Sequence, residues 1–189
     1  MATEKELSDF LRQVEKKAFK RTYYHVRDED AALDILQDSM IKLSSHYGDK
    51  PIEELPLLFQ RILSNTTLDW FRRQKTRQAH FTNFGDFGSD EEHENFDLLE
   101  VKAQEQPQNW AESAEQWTGR LQTLQQIESA LMELPARQRE AFLLRYWEEL
   151  DVAETAAVMG CSEGSVKTHC SRAVQALSQS LAAKGVHKS

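Results

Sequence analysis

The amino-acid sequence predicts an all-α protein in which two small helical domains are joined by an acidic linker. Glycine and proline are sparse, with seven and four residues in a chain of 189. Apolar residues recur at helical spacing, and the period-two alternation typical of strands is hard to find. We expect an N-terminal helical bundle over residues 1–81, the linker over 82–117, and a four-helix domain with a helix-turn-helix over 118–189.

Charge is distributed very unevenly along the chain. The net charge is −8, which on its own argues against a nucleic-acid-binding protein. Residues 82–117, however, hold ten acidic residues and one basic residue, whereas the other 153 residues hold 21 acidic and 22 basic ones. The acidity therefore belongs to the linker, and the two predicted domains are nearly neutral.

Composition narrows the class of protein further. No apolar run approaches the roughly 20 residues that a membrane helix needs, so we expect no membrane insertion. The charged stretch of residues 1–20 lacks the apolar core of a secretory signal, which predicts a cytoplasmic protein. The spacing of Cys161 and Cys170 is not that of a zinc site, and the six histidines are scattered. We predict no metal, no cofactor and no catalytic residues.

In the N-terminal domain, the stretch DEDAALDILQDSMIKLSSHY is predicted to be helical. Four apolar residues are predicted to form its core stripe: Leu33, Leu36, Met40 and Leu43. Another set lies together on the other side: Asp34, Gln37, Asp38 and Ile41. This mixed acidic and apolar surface indicates either an ordinary solvent face or a docking site for a partner helix.

The next helix is predicted from about Leu55 to Gln78, with Pro56 near its first turn. The residues predicted to face its core are Phe59, Ile62, Leu63, Thr66 and Trp70. A second face carries Arg61, Asn65, Leu68 and Arg72, and the helix end is basic through Arg72, Arg73, Lys75 and Arg77. Aromatic rings beside cations suit single-stranded or melted DNA, because bases stack on rings while cations hold the backbone. A solvated basic end that complements the helix dipole is the alternative.

The linker is not uniformly polar, because aromatic and leucine residues interrupt its acidic sequence. Two interpretations fit this pattern. In the first it is a solvated acidic loop that places a few apolar side chains on the domains. In the second it is a tether that occupies a basic, nucleic-acid-shaped channel in a partner.

The sequence predicts three helix starts in the C-terminal domain. Pro135 suits the first turn of one helix. Asp151, followed three residues later by Glu154, resembles a capping box. Ser162 is a typical N-cap, and Gly160 lies where the preceding helix must end in a left-handed turn. Helix, short turn and helix in this order predict a helix-turn-helix.

The last helix separates into two faces when its residues are placed at about 100° per residue. The predicted core stripe consists of Val166, Cys170, Ala173, Val174, Leu177 and Leu181. The predicted DNA-reading set consists of Ser165, Lys167, Thr168, His169 and Arg172. Lys167 lies on the flank of this helix, which suits a phosphate, whereas Thr168 and Arg172 suit base edges. A plain polar surface is the alternative.

Three pieces of the sequence, in this order, resemble the extracytoplasmic-function group of bacterial sigma factors. ALDILQD is similar to the group's polymerase-binding helix, and FQRILSNTTLDWFRRQK is similar to its helix for the minus-ten promoter element. LPARQREAFLLRYWEELDVAETAAVMGCSEGSVKTHCSRAVQAL resembles its reader of the minus-thirty-five element. The chain departs from the group's pattern at Leu58, where tryptophan is frequent, and at His169, where arginine is usual.

The resemblance implies roles and partners for the matching positions. Polymerase-binding residues would be Asp34, Gln37, Asp38 and Ile41. Residues for the melted minus-ten strand would be Arg61, Asn65, Arg72 and Arg73. The partners implied are core RNA polymerase, promoter DNA and an anti-sigma factor, with the acidic linker running through the polymerase cleft.

Two other classes of protein remain open from the sequence. SEGSVKTHCSRAVQAL also resembles the output domain of a conventional helix-turn-helix transcription regulator, although the N-terminal half lacks the alternating strands and helices of a receiver. An all-α enzyme would need a nucleophile, a base and an orienting group at a recognisable spacing. The sequence offers only carboxylate runs such as Asp28, Glu29 and Asp30.

Overall fold

The computed structural model describes residues 2–81 and 114–185, with side chains over 2–78 and 118–185, and it confirms the all-α prediction. Its α-helices are α1 Glu4–Val26, α2 Glu29–Tyr47, α3 Leu55–Phe81, α4 Ala114–Glu133, α5 Ala136–Phe142, α6 Val152–Met159 and α7 Glu163–Ala183. A π-helical turn, Leu143–Trp147, follows α5. None of the helices in the two described ranges has the length and apolar character needed to cross a membrane. The predicted linker lies almost wholly outside the described residues.

Local capping explains where the N-terminal helices begin and end. Thr3 forms a capping box with Glu6 at the start of α1. The helix ends at Arg27, whose backbone is left-handed with φ 56°. Asp28 then caps α2 by accepting a hydrogen bond of 2.7 Å from the amide of Ala31. Side-chain oxygens thus satisfy amide groups that the first turn of each helix leaves unpaired.

The helices α1, α2 and α3 pack into an N-terminal lobe. Phe59 and Leu63 of α3 are fully buried, as the sequence predicts, together with Leu36 and Leu43 of α2. The prediction for Leu33 is wrong, because its side chain is 42% exposed.

The inward face of α2 is centred on a different set of residues from the predicted one. Ile35 and Ser39 were not part of the predicted stripe, and both are buried, whereas Leu33 was part of it and is exposed. The Ser39 hydroxyl donates a hydrogen bond of 2.7 Å to the carbonyl of Ile35 in its own helix, so it is satisfied inside the core. The buried face of α2 therefore includes a serine, which a pattern of apolar residues does not assign to the core.

The C-terminal lobe, made of α4 to α7, contains the predicted helix-turn-helix. Asp151 and Glu154 form the capping box of α6, with hydrogen bonds of 2.8 and 2.9 Å. Gly160 ends α6 with φ 64°, a left-handed conformation that favours glycine. Ser162 caps α7 by accepting a bond of 3.1 Å from the amide of Ser165. The signals read at Asp151, Gly160 and Ser162 are confirmed, whereas Pro135 lies at the N-cap of α5, one residue before its first turn.

The buried stripe of α7 is narrower than predicted. Val166, Cys170, Ala173 and Leu177 are buried. Val174 is 42% exposed, so its predicted place in the core is wrong. On the helical wheel Val174 lies at one edge of the predicted stripe, at roughly 50° from its centre, and the structure leaves this edge exposed.

The two lobes are packed against each other. Helix α1 contacts α4 and α5, and α3 contacts α6. Leu63 of the N-terminal lobe and Leu131 of the C-terminal lobe belong to one cluster of buried apolar side chains. The sequence predicts the two lobes but gives no sign of this contact.

Candidate nucleic-acid interface

The predicted DNA-reading residues lie at the N-terminal end of α7, just after the turn of the helix-turn-helix. Lys167, Thr168 and Arg172 are exposed. Ala156 and Val166 are buried between the two helices of the motif, and their small size and apolar character allow α6 and α7 to cross closely. The packing therefore holds a polar helix end outward in the orientation that enters the major groove in this motif.

Two residues of this set are less open than the helical wheel suggests. Ser165 is half-buried, and its hydroxyl lies 2.9 Å from that of Ser162, so it also takes part in the helix cap. His169 is half-buried, and its Nδ1 atom is buried with no hydrogen-bond partner among the described residues. Thr168 donates its hydroxyl to the carbonyl of Gly164 at 3.0 Å, which leaves the oxygen free to accept and the methyl group free for contact.

A second polar surface lies on the outer face of α3. Arg61, Asn65, Arg72 and Arg73 are all exposed. Arg72 forms an ion pair of 3.2 Å with Asp69, but both side chains are open to solvent. Such exposed pairs contribute little, so Arg72 can exchange the carboxylate for a phosphate. Trp70 and Phe71 lie edge to face beside these cations, with ring centroids 5.0 Å apart.

The third predicted surface lies on α2. Asp34, Gln37 and Asp38 are exposed, and Ile41 is 62% exposed beside them. An apolar side chain this open, surrounded by acidic and amide groups, has the mixed character of a docking surface.

A groove of about 450 Å³ joins the α2 and α3 surfaces. Asp34 and Asp38 line one side of the groove, and Arg73 and Arg77 line the other. Lys42 bridges it by pairing with Asp38 at 2.8 Å and by donating to the hydroxyl of Thr66 at 3.3 Å. The acidic and basic surfaces predicted separately from the sequence are therefore neighbours.

A group of buried charged residues lies between the lobes, and the amino-acid sequence does not predict it. Arg139 of α5 is 6% exposed and donates to carbonyl groups at the ends of two helices. Its bonds reach Tyr24 and His25 of α1, at 2.7 and 3.4 Å. They also reach Leu131, Met132 and Leu134 around the end of α4, at 3.0, 3.1 and 2.7 Å. Burial, with a smaller effect of Arg27, lowers the pKa of Arg139 to about 10.

Two further polar contacts join the lobes through Glu148 and Trp147. The carboxylate of Glu148 accepts a bond of 2.9 Å from the Gln60 amide and lies 3.9 Å from Nε of Arg21, which is 2% exposed. Trp147 donates its indole N–H to the carbonyl of Lys17 at 3.4 Å. Burial lowers the pKa of Arg21, and the charge of Glu148 partly offsets that effect.

Glu128 of α4 occupies a third buried polar position against α1. It accepts a hydrogen bond from the Tyr24 hydroxyl and interacts electrostatically with Lys20, which is fully buried. Burial raises the pKa of Glu128, while Lys20 and Tyr24 oppose the rise. Helical spacing gave no signal for these contacts, because a charged residue is by default assigned to the surface.

Comparisons with known proteins agree with this geometry. The family described as Sigma-70, region 4 matches residues 124–177, which contain the helix-turn-helix. The RNA polymerase sigma factor SigV of Bacillus subtilis is 27% identical over 161 residues, covering 83% of this chain and 80% of that protein. An RNA polymerase sigma-E factor of Streptomyces coelicolor is 25% identical over 182 residues, covering 95% and 88%.

A solved structure shares the arrangement of helices. It is the sigma factor RpoE in complex with the anti-sigma factor NepR from Bartonella quintana, with a TM-score of 0.60 and 22% identity. The likeness covers 92% of this chain and 96% of that one. The chain therefore has the fold of this solved sigma factor, its residues 124–177 match the Sigma-70, region 4 family, and over most of its length it is similar to RNA polymerase sigma factors, including ones of the extracytoplasmic-function group.

Proposed function

We propose that the chain confers promoter recognition on bacterial RNA polymerase through the three surfaces on α2, α3 and α7. The observation that carries the proposal is their exposure, since all three remain open to solvent while the lobes are folded and packed. On α2, Asp34, Gln37, Asp38 and Ile41 dock on the polymerase. On α3, Arg61, Asn65, Arg72 and Arg73 hold the melted minus-ten strand. On α7, Ser165, Lys167, Thr168, His169 and Arg172 contact the minus-thirty-five duplex.

The chemistry of each surface fits its role. Arg172 offers a planar fork of donors for guanine or for a phosphate. Lys167 offers a point charge for a phosphate on the flank of the helix. The edge-to-face pair of Trp70 and Phe71 on α3 lies next to cations, and aromatic rings beside cations are the combination that binds unpaired bases and their backbone.

Polymerase has a necessary part in this function. The two domains are nearly neutral, so the chain offers few surplus cations for neutralising phosphates, and the linker of −9 repels DNA. We propose that the linker, as the segment between domains 1–81 and 118–189, runs through the polymerase cleft. The protein would accordingly work in the cytoplasm, with initiation as its role and no catalysis of its own.

An anti-sigma factor is a further proposed partner, supported by the solved complex of RpoE with NepR. Affinity purification of the chain from its own organism should recover a protein that is not a polymerase subunit. Recovery of polymerase subunits alone, in a strain grown without the inducing stress, would contradict this partner but not the promoter function.

The decisive experiment is run-off transcription with core polymerase on a pool of random promoter sequences. We expect transcripts only when the chain and the core enzyme are both present, and enrichment of two separated sequence elements. Charge-reversal variants at Asp34 and Arg172 should lose transcription for different reasons, namely lost polymerase binding and lost promoter selection. Tight sequence-specific binding of promoter duplex by the free chain would favour a conventional helix-turn-helix regulator instead.

A further inference from the structure

We propose that Gly164 sets how deeply α7 enters the promoter duplex, because the duplex approaches the bare backbone at this position more closely than a side chain would allow. The inference rests on the proposed function and concerns the α7 surface alone. Gly164 acts as a positioning residue, since it makes room for base contacts that other residues of α7 form. Its substitution should therefore change promoter selection without harming the fold.

The fold itself does not require a glycine at position 164. Gly164 is the second residue of α7, and its helical backbone is one that any L-residue adopts. A Cβ atom at this position would meet the hydroxyl oxygen of Ser162 at 3.9 Å, which is an ordinary van der Waals separation. Glycine is also a poorer helix former than alanine, because it loses more backbone freedom on folding. No contact in the described parts of the chain accounts for the glycine.

Most other glycines in the two described ranges have a structural reason. Gly160 and Gly185 have φ 64° and 80°, a left-handed backbone that L side chains rarely adopt. A Cβ atom at Gly48 would lie 2.7 Å from a carbonyl oxygen of α2, which is too close for a real contact. Gly119 of α4 is the exception, since it is exposed and its Cβ atom would meet no described atom within 4 Å. Of the two glycines that the fold leaves free, Gly164 lies on the surface proposed to meet DNA.

Gly164 lies beside two of the residues proposed to contact DNA. Lys167 and Thr168 follow three and four residues later, so they share its side of the helix one turn further on. Side chains in a helix lean towards its N-terminus, which here means towards the level of Gly164. The Thr168 hydroxyl does so directly, because it donates a hydrogen bond of 3.0 Å to the Gly164 carbonyl. All three residues are exposed, and together they form a notch with bare backbone as its floor, here called the Gly164 notch.

The missing side chain matters because base contacts tolerate little displacement. In a helix-turn-helix, the N-terminal residues of the second helix contact base edges in the major groove. A carbon bonded to Cα projects about 1.5 Å from the backbone. If half of that distance separates α7 further from the duplex, a hydrogen bond of about 2.9 Å lengthens beyond roughly 3.5 Å and is lost. Bonds from Thr168 and Arg172 to base edges would weaken together, whereas the flexible Lys167 would still reach a phosphate.

The test compares Gly164→Ala with Gly119→Ala in the full-length chain. Both add one methyl group to an exposed helical glycine, and in both helices the glycine carbonyl accepts a threonine hydroxyl at 3.0 Å. Each variant should raise the midpoint of thermal unfolding by about 1–4 °C, because alanine restricts the unfolded chain. A lower midpoint for Gly164→Ala alone would overturn the proposal, since the fold would then account for the glycine.

Promoter selection is measured by run-off transcription with core polymerase on two templates. One is a promoter recovered from the random pool, and the other is the same promoter with its upstream element scrambled. The readout is the ratio of the factor concentrations that give half-maximal transcription on the scrambled and on the intact template. For Gly164→Ala this ratio should fall by about tenfold, the effect of roughly one mismatched base pair, while the concentration for the scrambled template stays that of the wild type. Gly119→Ala should keep both values.

The size of the added side chain gives a second variant. Gly164→Leu should lower the ratio at least as far as Gly164→Ala, because leucine is a good helix former with a larger side chain. An unchanged ratio for both variants would overturn the proposal and leave the proposed function intact, provided that Arg172→Ala still lowers the ratio. An equal loss for Gly119→Ala would overturn it too, since the effect would not belong to the Gly164 notch.

Failure of the proposed function itself has a different signature. The wild type would then give no run-off transcription with core polymerase, or the same half-maximal concentration on both templates. In that case the role of Gly164 falls together with the proposed function.

Discussion

Arg139 shows how one side chain organises the meeting point of several helices. Its guanidinium donates to the carbonyl groups of two α1 residues and of three residues around the end of α4. The last carbonyls of a helix have no partner within the helix and carry partial negative charge. A planar group with five donors satisfies such a cluster in a way that a point charge does not.

We therefore expect Arg139→Lys to lower the free energy of unfolding by about 2–4 kcal/mol, since several buried carbonyls lose their donor. Urea unfolding followed by circular dichroism measures this change. Arg172→Lys is the control, because Arg172 is exposed and its replacement should alter stability by less than about 0.5 kcal/mol. Equal stability of the two variants would show that the carbonyl cluster is satisfied by other donors.

His25 predicts how stability depends on pH. Burial, reinforced by the charges of Arg21 and Arg139, lowers the pKa of His25 to about 3. Its unfolded pKa is about 6.5, so between these values the unfolded chain binds a proton that the folded chain excludes. The contribution of His25 to the free energy of unfolding is therefore complete above pH 6.5, and it is lost as the pH falls towards 3.

The wild type should lose on the order of 2 kcal/mol of this contribution between pH 7 and pH 5. His25→Gln should lose less over the same interval, whatever its stability at pH 7. Glu128 has a raised pKa, which acts in the opposite direction, but it is present in both proteins and cancels in the comparison. Parallel pH profiles of urea unfolding for the two proteins would refute the neutral state of His25 in the folded chain.

At the scale of single elements, the sequence predicted helix ends better than helix faces. Asp151, Gly160 and Ser162 were readable because capping depends on one residue and its next few neighbours. Leu33 and Val174 were assigned to core stripes and are exposed, because the centre of a buried face depends on which neighbouring helix covers it. The N-terminal end of α7 was predicted as an outward polar surface, and three of its five residues are exposed in the structure.

Helix α7 permits a prediction that separates base contacts from phosphate contacts. With the polymerase holoenzyme, Arg172→Ala should weaken binding by about 1–3 kcal/mol and relax base preference at one position of the upstream element. Lys167→Ala should weaken binding to all sequences alike and reduce the salt dependence by about one ion. Competition binding on a library of promoter variants at two salt concentrations measures both effects. Exchange of the two outcomes between the variants would mean that the roles of Lys167 and Arg172 are reversed.

At the scale of the whole molecule, the contact between the lobes could not be predicted from the sequence. From the sequence alone, charged residues are assigned to the solvent-exposed surface, and this holds for Lys20, Arg21 and Arg139. Only the fold shows that their partners come from the other lobe. The apolar periodicity specifies each lobe separately, because it reports which side of a helix is covered but not by what. The order of the surfaces on α2, α3 and α7 was predictable, since each surface is confined to a short stretch of the chain.

The acidity of residues 82–117 leads to a prediction about the whole chain. Replacing its ten carboxylates by amides would take the net charge of the protein from −8 to +2. Because the linker then no longer repels phosphates, the free protein should bind non-specific duplex about tenfold more tightly at low salt, with a steeper salt dependence. Fluorescence anisotropy with a labelled duplex measures this affinity.

In the presence of core polymerase the same variant should give less transcription, because a neutral linker loses its attraction to a basic cleft. A scrambled linker of unchanged composition is the control and should behave like the wild type in both assays, since the effect depends on charge. Unchanged duplex binding by the amide variant would show that the linker does not shield the two lobes from DNA.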